Sequence, residues 1–102
     1  MRYIANSKIR DIKGVETESA YGDFIVNVLL NGFDQKTSGE EKTKAFQLAL
    51  KVQSAVEWNR LLDLSIDDVS RIKKAAEPVA TVLAFGRLSE FLEHPEPDEQ
   101  PI

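Results

Sequence analysis

From Ser38 onward, apolar residues recur at spacings of three and four, the period of an amphipathic helix, and polar start signals precede two of the runs. The first signal is Ser38-Gly39-Glu40-Glu41. Ser38 is placed to accept from the Glu41 backbone N–H while the Glu41 carboxylate reaches back to Ser38, a capping box, and both acids sit at the positive end of the helix dipole. A helix is therefore predicted over residues 39–56, with Ala45, Phe46, Ala49, Leu50, Val52 and Val56 on its buried face. The second signal, Ser65-Ile66-Asp67-Asp68, opens a helix that turns Val69, Ile72 and Ala76 inward and Arg71, Lys73 and Lys74 outward. Pro78 ends it, and the same residue suits the first turn of a fourth helix over residues 79–93.

That fourth helix carries the unusual pattern. Ala84, Phe85, Leu88, Phe91 and Leu92 form one stripe, and Val79, Val82, Leu83 and Gly86 lie on the far side of its first half. Such a helix either runs through the centre of a bundle or shows one flank to a partner or to a second copy. Gly86, a poor helix former, reads as a close-approach point for a neighbouring backbone.

The chain ahead of Ser38 is less periodic. Residues 8–15 read as a short edge strand ending at the Gly14 turn, with charged neighbours guarding the edge. Residues 19–31 read as a helix capped by Ser19 and stopped at Asn31-Gly32, in preference to the buried strand that Ile25, Val26 and Val28 would also suit. Residues 57–64 either prolong the second helix or supply a short strand. The expectation is a mainly α fold: a small four-helix domain over residues 1–93, with room for a minor N-terminal β-strand or hairpin. An acidic, Pro-rich, flexible tail follows over residues 94–102.

Composition narrows the function. A length of 102 residues supports one domain with a modest core. The absence of Cys removes thiolate catalysis, disulfides and Cys-based metal sites, and fits a cytoplasmic protein. The first residues have no apolar core of the signal-peptide kind, and no apolar run approaches the roughly 18 residues of a membrane span, so no membrane role is expected. The net charge of −4, with Lys and Arg scattered along the chain, disfavours strong binding to a phosphate backbone.

No residue set carries catalytic chemistry. His94, the only histidine, precedes a proline in the tail, where neither an orienting partner nor a rigid metal site is expected. Asp67-Asp68 and Glu40-Glu41 are explained by capping. The serines lack a Gly-x-Ser-x-Gly setting, and the five glycines stand singly, so no phosphate-cradling loop exists. The chain therefore reads as no enzyme, with no catalytic, cofactor or metal residues and no small-molecule substrate. The candidate protein-contact residues are Trp58, Val79, Val82, Leu83 and Gly86. The alternative is a helix-turn-helix regulator made of the last two helices. It fits poorly, because the last helix would bring apolar groups and carboxylates to the groove and Asp67-Asp68 stand at the start of the other.

The order of Asp23-Phe24-Ile25-Val26-Asn27-Val28-Leu29-Leu30, the Ser38-Gly39-Glu40-Glu41-Lys42 start leading to residues 45–52, and Asp63-Leu64-Ser65-Ile66-Asp67-Asp68-Val69 with Ile72-Lys73-Lys74-Ala75 resembles small proteins encoded in bacteriophage and prophage genomes. The likeness covers residues 7–93, apart from a longer 57–62 connector and the tail. It implies helix rather than strand for residues 19–31. It also implies a phage-related accessory or morphogenesis role, exercised through contact with a partner protein or through self-association.

Overall fold

The computed structural model describes residues 1–96. Its elements run β1 (Arg2–Ile4), β2 (Lys8–Arg10), β3 (Glu16–Ala20), α1 (Tyr21–Asn31), α2 (Gly39–Glu57), β4 (Leu61–Asp63), α3 (Ile66–Ala76) and α4 (Val82–Glu93). The four helices are accompanied by two small antiparallel sheets, so this is a small α+β fold and the expected four-helix domain is corrected. The reason lies in the strands. Three of the four have only three residues, too few for alternation to show. The fourth, β3, exposes four of its five residues and so lacks an apolar face.

β2 and β3 form a hairpin closed by a turn in which Gly14 takes φ 84°, a left-handed conformation that costs glycine nothing. The Asp11 carboxylate accepts from the Lys13 and Val15 amides at 2.9 Å and holds that turn shut. β3 passes directly into α1. The residue ahead of α1 is Ala20, with no side-chain cap, and Ser19 lies within the strand instead of capping the helix.

The second sheet joins remote segments. β1 pairs with β4 in the register Arg2↔Asp63, Tyr3↔Leu62 and Ile4↔Leu61. Tyr3 and Leu62 face the core and their neighbours face out. On the other edge of β1, the Glu96 N–H donates to the Arg2 carbonyl at 2.7 Å, so residues 94–96 of the expected tail return to the body. Residues 97–102 of that tail lie outside the described residues.

The end of α2 explains why the 57–64 connector supplies a strand. Asn59 takes φ 50°, the Arg60 N–H donates to the Ala55 carbonyl at 2.9 Å, and the Asn59 N–H donates to that of Val56. This pairing stops the helix and redirects the chain into β4.

The core is formed by Ile25, Val28 and Leu29 of α1, the Ala45-Leu48-Ala49-Val52-Ala55 stripe of α2, Tyr3, Leu62 and Leu64, Ile72, Ala75 and Ala76 of α3, and Leu88 and Leu92 of α4. On α2 the sequence reading is off by one flank. The stripe that meets α1 is rich in alanine, which lets the helices approach, and it turns Phe46 and Leu50 out to solvent. The box at Ser65 and Asp68 is complete, as expected. At Ser38 only half forms: its hydroxyl accepts from the Glu41 amide, while the Glu41 carboxylate accepts from Arg71 of α3 at 3.1 and 3.4 Å. That paired hydrogen bond holds the Glu41 carboxyl below its ordinary pKa and ties α2 to α3.

Around Pro78 the structure again differs. α3 ends at Ala76, α4 starts only at Val82, and Thr81 caps it by accepting from the Ala84 amide at 3.2 Å. Val79 therefore lies in the connecting loop, because Thr81 supplies a better start than proline does.

Candidate surface on the outer flank of the last helix

The stripe expected to face the core does so: Leu88 and Leu92 are buried, and Phe85 and Phe91 pack against the cluster. Phe91 stacks on Tyr21 with ring centres 4.2 Å apart and lies 5.2 Å from Tyr3. The Tyr3 hydroxyl donates to the Leu92 carbonyl at 2.6 Å, so α4 is anchored by its C-terminal half.

The opposite flank has no cover within the described residues. Val82 is 93% exposed, and Val79 and Leu83 are also exposed. A side chain added at Gly86 would meet nothing within 4 Å. This corrects the reading of Gly86 as a close-approach point inside the fold and places α4 at the surface, not at the centre of a bundle. The structure also adds a residue that the sequence reading missed. Ile12, at the tip of the β2–β3 hairpin, is 79% exposed and lines a shallow cleft of about 290 Å³ with Val82, Leu83, Gly86, Arg87 and Glu90. An isoleucine in a turn of Asp, Lys and Gly was the available signal.

Of the expected contact residues, Val82, Leu83 and Gly86 are brought together, with Val79 just ahead of the helix. Trp58 is not. It caps the far end of α2, is 67% exposed, and lines neither cleft beside α4.

Arg87 joins hairpin and helix. Its guanidinium donates to the Arg10 carbonyl at 3.1 Å, to the Asp11 carbonyl at 2.6 Å and to the Glu90 carboxylate at 2.9 Å. Its charge is thus spent on fixing Ile12 beside Leu83. Two of the three other cations of the last two helices are similarly engaged, Arg71 with Glu41 and Lys73 with Glu93; Lys74 has no ion pair among the described residues.

A larger cleft of about 590 Å³ adjoins on the other side of Leu83, where β3 bends into α1 and the first turn of α4 closes the third side. Phe24, Ile9, Leu83 and Ala84 give it apolar walls, and Glu18 and Asp23 stand among its lining residues.

His94 caps the end of α4, and its Nδ1 lies 2.8 Å from the Glu90 carbonyl, which can only accept, so Nδ1 carries the proton. Among the described residues no group of three His, Asp or Glu side chains is placed to hold a metal ion, and no helix is long and apolar enough to cross a membrane. Comparison with protein families, curated proteins and solved structures finds no match to this chain.

The two phenols report on this region by pH. Burial pushes both tyrosines above 10.0; at Tyr21, Arg87 and Arg10 pull the other way and Glu90 adds to the rise. A raised folded pKa means the stabilisation is fully present below the unfolded value and is lost as pH rises through the folded one. An absorbance titration of phenolate is therefore expected to show no free-tyrosine step near pH 10, with both groups ionising at higher pH and the fold losing stability as they do. A step at the free-tyrosine pH with the fold intact would contradict the packing of Phe91 between them.

Proposed function

We propose that this chain is a non-enzymatic protein-contact module and that the outer flank of α4, with Ile12 of the hairpin, makes the contact. The observation that carries this reading is the set of exposed apolar side chains at Val82 and Leu83 of α4, Val79 just ahead of it and Ile12 of the hairpin, on the side away from the Phe85-Leu88-Phe91-Leu92 stripe that packs into the core. Exposed apolar surface that contributes nothing to a fold is favoured at interfaces. On the last two helices Arg71, Lys73 and Arg87 are paired with carboxylates and the net charge of the chain is −4, which supports protein over nucleic acid. The accessory or morphogenesis role of phage type rests on the resemblance in residue order and is part of the same proposal, as is a cytoplasmic setting.

Light scattering over a concentration series, with a salt-dependent DNA-shift assay beside it, tests this. The expected result is a mass that grows with concentration, no DNA shift near physiological salt, and a constant monomeric mass for Val82→Asp. Val82 opens α4, where an aspartate suits the helix dipole, so the variant should melt within roughly 4 °C of the parent. Salt-sensitive DNA binding by a chain of constant mass would favour the regulator instead.

A further inference from the structure

The 590 Å³ cleft between the hairpin, α1 and α4 adjoins the proposed contact flank and differs from it in charge. Phe24 and Leu83 provide its apolar surface, and Leu83 also lines the outer cleft, so the two share a wall. At its rim stand the carboxylates of Glu18 and Asp23, neither of which has an ion-pair partner among the described residues. Arg10, which also lines the cleft, pairs with Glu16 at 3.6 Å, and the neighbouring Arg87 pairs with Glu90 at 2.9 Å. The Lys8 ammonium donates to the Glu18 carbonyl, and the Asp11 carboxylate is held by the turn amides. Among the side chains that line the cleft, Asp11, Glu18 and Asp23 set against Arg10 leave two negative charges in excess beside the apolar surface.

From this pairing of surfaces we infer that the cleft receives a basic, apolar segment of a partner protein, one apolar side chain lodging against Phe24 and Leu83 while a neighbouring Lys or Arg meets Asp23 and Glu18. Charge complementarity selects that occupant. It disfavours this chain's own residues 97–102, which carry Asp98 and Glu99 and no cation. It also disfavours nucleic acid, which would bring phosphates to carboxylates. The inference rests on the protein-contact reading and specifies the partner's chemistry.

The test is an anisotropy titration of the full chain with two labelled peptides, one of alternating Lys and Leu and one of alternating Glu and Leu, at low salt and at about 0.5 M salt. The Lys-Leu peptide is expected to saturate one site and the Glu-Leu peptide to show no binding. The double variant Glu18→Gln, Asp23→Asn should bind the first roughly three- to tenfold more weakly and lose most of the salt dependence. Hydrogen exchange on the bound wild-type chain should show protection at residues 17–27 and 81–84. Equal binding by wild type and double variant, or protection confined to other segments, overturns the inference, as does failure of the Lys-Leu peptide to saturate. Both side chains are exposed, and the loss of the Asp23 charge from the first turn of α1 is expected to lower the melting temperature by only about 2–8 °C, which serves as the folding control. The Val82→Asp scattering experiment reads the outer flank and this titration reads the cleft, so each can fail alone.

Discussion

Replacing Gly32 by Ala is expected to destabilise the protein by about 3 kcal/mol, lowering the melting temperature by roughly 10–25 °C. Gly32 follows α1 with φ −85° and ψ −11°, a conformation open to any residue, so backbone freedom is not the reason. Space is. A Cβ at this position would fall onto the Ala75 carbonyl oxygen and crowd that of Val28 at 2.6 Å. Both obstacles are backbone atoms, and no rotamer change can move them. Relief at Ala75 requires α1 and α3 to separate, which would open the contacts around Ile25, Ile72 and Ala75, all 0% exposed, while the crowding against Val28 of α1 itself would remain. Thermal melting followed by circular dichroism checks this. The diagnostic control is Ala75→Gly in the same chain: it removes a methyl group and leaves the offending carbonyl, so it should restore nothing. A Gly32→Ala protein that melts with the parent would mean that α1 and α3 are farther apart than described.

Ile72→Ala should cost about 2–5 kcal/mol, comparable with a large part of the stability of a domain this size. Ile72 is fully buried and central on α3, a short helix of 11 residues with little stability of its own. Removing its outer carbons leaves a void bounded by neighbours that other elements hold in place, so collapse of the site is limited. Denaturant unfolding measures the effect. The midpoint should fall with the slope unchanged, because the surface exposed on unfolding is nearly the same. By contrast, Ile66→Ala at the exposed start of the same helix should change stability by no more than about 0.5 kcal/mol. Equal losses at the two positions would mean that α3 does not pack as described.

Much of the helical frame is legible in the sequence because it rests on interactions within three or four residues. Ser65 and Asp68 satisfy one another wherever the chain lies, and the α4 stripe follows from its own spacing. What escapes is set by distant partners. Glu41 leaves its box for Arg71, thirty positions away, and nothing local distinguishes it from Asp68. Phe46 and Leu50 follow the same period as the true core face of α2. Only the direction from which α1 approaches separates the two flanks. The strands are too short to alternate, and β1 finds its partner on the far side of two helices. The outer flank of α4 is visible from Val82, Leu83 and Gly86, whereas the contribution of Ile12 depends on Arg87 binding the carbonyls of Arg10 and Asp11. The charged cleft has no linear signature, since Glu18, Asp23 and Leu83 are neighbours only after the hairpin and α4 have met.

The placement of Tyr3 has a bearing on biosynthesis. Its ring belongs to the core, yet the oxygen that accepts its hydroxyl proton lies 89 positions later, at Leu92. At translation rates of about 5–20 residues per second, the first strand leaves the ribosome and waits several seconds before either Leu62 or Leu92 emerges. During that interval the nascent chain can form its local coils but cannot close. Completion of the native state is therefore tied to release of the last helix, and chains stalled before that helix is made would be the ones most in need of a chaperone.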